Sequence, residues 1–321
     1  MKILFYGFRH GHIDGLYQMV SKSSLIDGVI CREDDEAARN AAASRLGICF
    51  REESYTELLK EDVDIVAIGG CYGDRGAAVI QALEAGKHII ADKPLCTSLE
   101  ELERIRTLAE EKNLKIGCML DLRYMPSAVA ARQVFAEELL GQVRNVAFDG
   151  QHCLNYGVRP GWYFEEGKHG GTVNDLAIHG VDLVRELTGL EFAKADCVRT
   201  WNSYAVQEPD FKDCAVFMAR LSNGAEVTAD VSYSAPSAAF SLPSYWSFRF
   251  WCEKGMLTFS YNQPDATVYL EGQQPRVVAG SASATDYLTD LIEEIRTDGH
   301  QFTRSVLAST EAALMLQAAA E

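Results

Sequence analysis

The sequence predicts an α/β protein in two parts. Residues 1–121 form a Rossmann-type doubly wound parallel sheet, and residues 122–321 an α/β domain built on a large, mostly antiparallel open sheet. Over the first part, short apolar runs alternate with amphipathic helical segments, the pattern of a parallel sheet covered on both faces. Further on the apolar residues recur every second position, and Asn223-Gly224 and Glu253-Lys254-Gly255 are turn signals between such runs.

In order, strands are expected at residues 3–6, 28–31, 65–68, 88–91 and 115–119. Helices fall between them at about 11–20, 36–45, 54–60, 75–85 and 99–112, the last opened by Thr97 or Ser98 as N-cap. A helix at about 125–135 precedes the change of period. Strands then follow at 143–148, 213–221, 225–232, 247–252 and 256–261. One long helix, about 171–187, interrupts them, and a helical tail runs from about residue 284.

Thirty Lys and Arg against 46 Asp and Glu give a net charge of −16. That field opposes nucleic acid and anionic membrane surfaces, so an anionic ligand must be held by local cations. The nine cysteines are odd in number, scattered and without a C-x-x-C pair. Neither a disulfide framework nor a metal site is expected, and a reducing cytoplasm is. No charged-then-apolar leader precedes the first strand, and no apolar run reaches the ~18 residues of a membrane span.

Three motifs carry chemistry. Gly86 ends a helix, residues 88–91 form a short apolar strand, and Pro94 biases Lys93 toward extended backbone at the strand's carboxyl end. Ligands of open α/β sheets bind beyond those ends, although an isolated Lys-Pro is more often a surface turn. The first strand runs into Gly7-Phe8-Arg9-His10-Gly11-His12, the place of a dinucleotide loop. Against G-x-G-x-x-G, Arg9 stands at the second glycine and His12 at the third; Arg9 must turn outward or pair with the anion. Arg32 follows the second strand where an acidic residue would bind a ribose 2′-hydroxyl. It suits a 2′-phosphate, so NADP is expected ahead of NAD, with Glu33, Asp34 and Asp35 acting against it.

Asp175 and His179 are four apart in the long predicted helix and share one face. A carboxylate beside an imidazole is an acid–base pair; a solvated face and a metal site with Asp182 are the alternatives. Trp162 could cover a sugar face or belong to the core. Lys168 and His169 could reach a hydroxyl or carboxylate. His10 and His12 suit contact with cofactor or substrate, or simple exposure. His152 reads as structural, while Tyr233, Trp246 and Arg249 line the open sheet or an interface.

Together these segments resemble the glucose–fructose oxidoreductase / inositol dehydrogenase / rhizopine catabolism (Gfo/Idh/MocA) family. Ala85-Gly86-Lys87-His88 with Asp92-Lys93-Pro94-Leu95 is similar to its A-G-K-H-V-x-x-E-K-P motif. Gly170-Gly171 with Asp175, His179 and Asp182-Leu183 resembles its G-G-G-x-x-x-D-x-x-x-H-x-x-D-L segment. Arg123-Tyr124 and Pro126 resemble its R-F/Y-x-P. Asp92 stands for the commoner Glu, Arg75 for a usual histidine, and Gly70-Cys71-Tyr72 for T-P-N.

The resemblance implies an NAD(P)-dependent dehydrogenase or reductase acting on a secondary hydroxyl or ketone of a sugar, polyol or related cyclic compound. It implies Lys93 at the reacting hydroxyl and the nicotinamide ribose, His179 as general acid/base and Asp175 as orienting or substrate-binding group. Gly7, Arg9, His10, Gly11, His12, Arg32, Gly69, Gly70, Arg75 and Asp92 would line the cofactor, and Arg123, Trp162 and Lys168 the substrate. A homodimer or homotetramer through the C-terminal sheet is implied. Alternatives are a redox-assisted glycosidase or lyase with tightly held nicotinamide and a non-catalytic binding or sensor protein of the same fold.

Overall fold

Strand β1 (Lys2–Tyr6) is an interior strand of its sheet, with Ile3, Leu4 and Phe5 all fully buried. It pairs in parallel with β2 (Gly28–Arg32) on one side and β3 (Ile65–Ile68) on the other. Strands β4 (His88–Ala91) and β5 (Ile116–Cys118) extend the sheet, giving the order β2-β1-β3-β4-β5. Strands buried on both faces read as continuous apolar runs, which is why Ile65-Val66-Ala67-Ile68 was legible. The order reverses between β1 and β3, and the crevice beyond such a switch point takes ligands. This computed structural model describes residues 1–237 and 239–320.

Helices α1 (His12–Lys22), α2 (Glu36–Leu46), the single turn α3 (Tyr55–Leu58), α4 (Tyr72–Glu84) and α5 (Leu99–Glu111) connect these strands. Their ends follow local chemistry. Asp35 caps α2 by accepting from the Ala38 amide, and Gly47 closes it in the left-handed region. Ser54 and Glu57 form a reciprocal capping box. Of the two caps expected for α5, Ser98 is the one that accepts from Glu101. Helix α4 starts earlier than the expected residue 75: Gly73 donates to the Lys168 carbonyl, and a Cβ there would stand 1.9 Å from the Gly167 oxygen.

Helix α6 (Pro126–Ala136) begins with proline at its first position, where the missing N–H costs nothing. Eight strands follow: β6 (Val143–Cys153), β7 (Phe192–Trp201), β8 (Cys214–Leu221), β9 (Glu226–Ala235), β10 (Trp246–Cys252), β11 (Gly255–Ser260), β12 (Ala266–Leu270) and β13 (Arg276–Val278). Their order is β13-β12-β11-β10-β6-β9-β8-β7, antiparallel except between β6 and β9. Phe148, Phe248 and Phe259 stack across its buried face. Strands β7, β12 and β13 lie outside the ranges expected from the sequence. In β7 only Phe192 and Val198 are buried, and β13 has three residues, so neither shows the alternation on which those expectations depended.

Where one regular helix was expected over 171–187, Val173–Ala177 form a π-helical turn and α7 runs Ile178–Thr188. Gly180 brings α7 against Phe148, whose ring would lie 2.2 Å from an added Cβ. Helices α8 (Tyr287–Thr297) and α9 (Gln301–Ala318) make the tail. Two compact units emerge: residues 1–119, 167–170 and 287–310, and residues 120–166, 171–286 and 311–321. Among the described residues no helix is long and apolar enough to cross a membrane.

Candidate functional site

In the first unit the turn after β1 is built for close approach of backbone. Gly7 has φ +86°, and a Cβ there would come within 2.5 Å of the Gly70 amide nitrogen. Gly69 is equally confined, by the Gly7 carbonyl and Ile13. The Arg9 amide donates to the Gly69 carbonyl, while its guanidinium turns to Asp35 at 3.4 Å. The second glycine place is thus filled by a side chain that points along the cleft wall. Gly11 and His12 open α1.

A cleft of about 230 Å³ lies here, lined among others by Gly7, Arg9, Gly70, Tyr6, Tyr55 and the acidic run Glu33, Asp34 and Asp35. Tyr6 stacks on Tyr55 at 3.8 Å and donates to Asp34. Buried Glu33 accepts from the Phe8 and Asp35 amides; burial pushes its carboxyl up from the ordinary range and those amides work against it. Arg32 is absorbed differently. Its guanidinium donates to Asp34 and to the Arg51 and Glu52 carbonyls, and it does not line the cleft.

Beyond β4 the Asp92-Lys93-Pro94 segment is pinned from inside. Arg75, fully buried, donates to the Asp92, Pro94 and Gly70 carbonyls at 2.8–2.9 Å, and its charge faces the Asp92 carboxylate at 3.4 Å. Asp92 also meets His10 Nδ1 at 2.6 Å and His12 Nδ1 at 3.1 Å. Burial alone would raise its carboxyl; the imidazoles and Arg75 hold it well below the usual range. Burial keeps His10 neutral, with its pKa down to about 4. Lys93 is joined to Pro94 by a cis peptide bond, is 3% exposed, and has its ammonium 5.8 Å from the Tyr72 ring centroid. A lysine so withdrawn from water is rare. Lys168 pairs with Asp74 at 2.6 Å, and buried His169 lies beside Tyr72.

In the second unit the π turn carries Asp175, which is 1% exposed and accepts from the Tyr233 hydroxyl. Arg159 lies over the Tyr233 ring at 4.8 Å. His179, 4% exposed, has Nδ1 3.4 Å from Asp121 and its ring edge-on to Trp246. π turns recur at functional sites, where the widened turn re-aims side chains.

Asp182 does not join a metal set with these two: both its oxygens are taken by Arg123. Arg123, expected toward substrate, is 4% exposed and engaged with Asp182 and Glu186. Trp162 is likewise buried, 4.2 Å from Tyr163, which favours its core reading. Tyr233 and Trp246, expected on the open face or an interface, are each 2% exposed. A signal for Tyr233 existed: it continues the inward phase of Val227, Ala229 and Val231. The engagement of Tyr72 with Lys93, and of His10 and His12 with Asp92, joins distant segments and left no local mark.

A model for an oxidoreductase family with an NAD-binding Rossmann fold matches residues 9–119, and one for the GFO/IDH/MocA C-terminal domain matches residues 128–258. The chain belongs to the Gfo/Idh/MocA family. Levoglucosan dehydrogenase of Pseudarthrobacter phenanthrenivorans is 25% identical over 263 residues, 74% of this chain and 65% of the relative. The 1,5-anhydro-D-fructose reductase of Ensifer adhaerens is 29% identical over 49% of this chain and 48% of its own length. The matched stretches thus span less than two thirds of these Gfo/Idh/MocA relatives. In fold, a levoglucosan dehydrogenase solved with NADH and levoglucosan aligns over 99% of this chain and 96% of that one, at TM-score 0.78 and 20% identity.

Proposed function

We propose that this protein is a nicotinamide-dependent dehydrogenase or reductase acting on a secondary hydroxyl or ketone of a sugar, polyol or related cyclic compound. The observation that carries the reading is Lys93, buried at a strand's carboxyl end and held there by a fully buried arginine. Relatives named for levoglucosan and 1,5-anhydro-D-fructose support the substrate class.

The residues fit the cofactor. Gly7 and Gly69 leave a backbone cradle that any Cβ would fill, next to the amides that open α1. A bound nicotinamide would supply the hydride acceptor. This chain's residues handle the proton: the Lys93 ammonium stabilises developing alkoxide, His179 takes the hydroxyl proton, and Asp175, fixed by Tyr233, orients the substrate.

The cofactor proposed is NAD, against the NADP that Arg32 alone suggested. The acidic run Glu33, Asp34 and Asp35 lines the cleft, and the arginine meant for a 2′-phosphate is spent on Asp34 and two carbonyls. Assembly through the eight-stranded sheet is proposed as well, its register placing exposed Met218, Trp251 and Tyr269 on one face. The reducing cytoplasm is the proposed compartment, consistent with the free cysteines.

The test is reduced-nicotinamide absorbance across a sugar and polyol panel with NAD and NADP. Lys93→Ala and His179→Ala should each lower kcat by about 10²–10⁴. An active Lys93→Ala variant refutes the assignment, as does failure to bind either dinucleotide. Turnover of a glycoside without net reduction would identify a redox-assisted glycosidase or lyase instead.

A further inference from the structure

The turn after β1 carries two histidines, His10 and, at the third glycine place of a dinucleotide loop, His12, and both converge on one carboxylate. His10 and His12 come from the β1–α1 turn and Asp92 from the end of β4, yet one ligand-capable atom from each lies within 4.8 Å of the others. Each Asp92 oxygen faces a different imidazole, at 2.6 and 3.1 Å. Asp92 is fully buried, His10 mostly so, and the His12 side chain is 46% exposed, so the group has a rigid floor and one open side.

We propose that His10, His12 and Asp92 form a binding site for one divalent transition-metal ion of the Zn²⁺, Co²⁺ or Ni²⁺ class. Two imidazole nitrogens and one carboxylate oxygen are the donor set such borderline ions accept, with water completing the shell. Two neutral rings and one carboxylate bring a single negative charge to the ion. Arg75 stands behind the carboxylate at 3.4 Å and fixes it, as outer partners of metal ligands do, while its charge and that of Lys93 moderate the affinity. The open side at His12 is the entry path. On loading, each imidazole moves the proton it donates to Asp92 from Nδ1 to Nε2, and the histidine–aspartate hydrogen bonds give way to metal bonds without change of redox state. An ion seated there ties up the carboxylate adjoining Lys93, so Zn²⁺ should inhibit whatever reaction Lys93 serves.

The experiment is Zn²⁺ titration by calorimetry on chelator-stripped full-length protein, with Co²⁺ titration followed by its visible absorption. One equivalent should bind, and His12→Gln, at a half-exposed position, should weaken it at least tenfold and abolish the cobalt band. Asp92→Asn should do the same, with circular dichroism showing that both variants fold. Absence of a stoichiometric site overturns the proposal, and so does equal affinity in wild type and His12→Gln, which places the ion elsewhere. The readout involves neither dinucleotide nor substrate, so it stands or falls separately from the dehydrogenase assignment.

Discussion

Replacing Arg75 by methionine keeps most of the side chain's volume and removes its fork of donors. Three buried carbonyls, those of Gly70, Asp92 and Pro94, then lose a charged partner, and Asp92 loses a guanidinium. Hydrogen bonds to a charged group are each worth about 1.5–3 kcal/mol. Stranding one member of a buried ion pair costs about 3–5 kcal/mol, and these overlap rather than add. His10 and His12 remain as partners for Asp92 and offset part of the loss. The expected destabilisation is about 4 kcal/mol, or a fall in Tm of roughly 10 °C at about 2–4 °C per kcal/mol. Urea unfolding of Arg75→Met, with Arg75→Lys beside it, measures this; lysine keeps the charge but cannot span three carbonyls and should recover less than half. A change below about 1 kcal/mol in Arg75→Met would refute the account of Arg75 as the pin of this segment.

Arg123→Met should cost about 3–5 kcal/mol by stranding Asp182, and adding Asp182→Leu should recover most of it, as denaturant curves of the single and double variants would show. Gly7→Ala should reduce NADH affinity at least tenfold in a fluorescence titration, since its φ of +86° and the 2.5 Å approach to Gly70 both exclude a Cβ; unchanged affinity would place the dinucleotide elsewhere. Asp213 accepts from the Ser203, Tyr204 and Ala205 amides. Burial opposes its ionised form, but those amides prevail and hold the carboxyl below its ordinary 3.8. Its contribution is therefore full above about pH 4 and lost as pH falls through the folded-state pKa. The stability gap between wild type and Asp213→Ala should be widest at neutral pH and close toward pH 2.

The parallel sheet was legible because central strands such as Ile65–Ile68 are buried on both faces and punctuated by capped helices. Strands of the second sheet that alternate, β8 and β9 above all, were legible for the complementary reason. Strand β7 was not, because most of its residues face outward and its pairing is set by β8. The motif residues were found at their places, but their engagements were not. Spacing could not tell that Arg32 is consumed by Asp34, that Arg123 belongs to Asp182, or that His10 and His12 meet Asp92 from 82 and 80 positions away. Nor does a four-residue interval reveal a π turn, which depends on packing rather than on composition.

The edge strand β5 is finished by residues far along the chain. The Ile116 amide donates to the Thr303 hydroxyl, Leu291 lies against Gly117, and Glu294 caps the start of α9 through the Phe302 and Thr303 amides. During synthesis, the nucleotide-binding half therefore waits for about 190 further residues after β5 has emerged. At ribosomal speeds that is on the order of ten to forty seconds with one apolar flank of the sheet uncovered. In a nascent chain that flank is where a holding chaperone has most to gain, and a message cut short before residue 287 yields a sheet that is fully translated yet never closed.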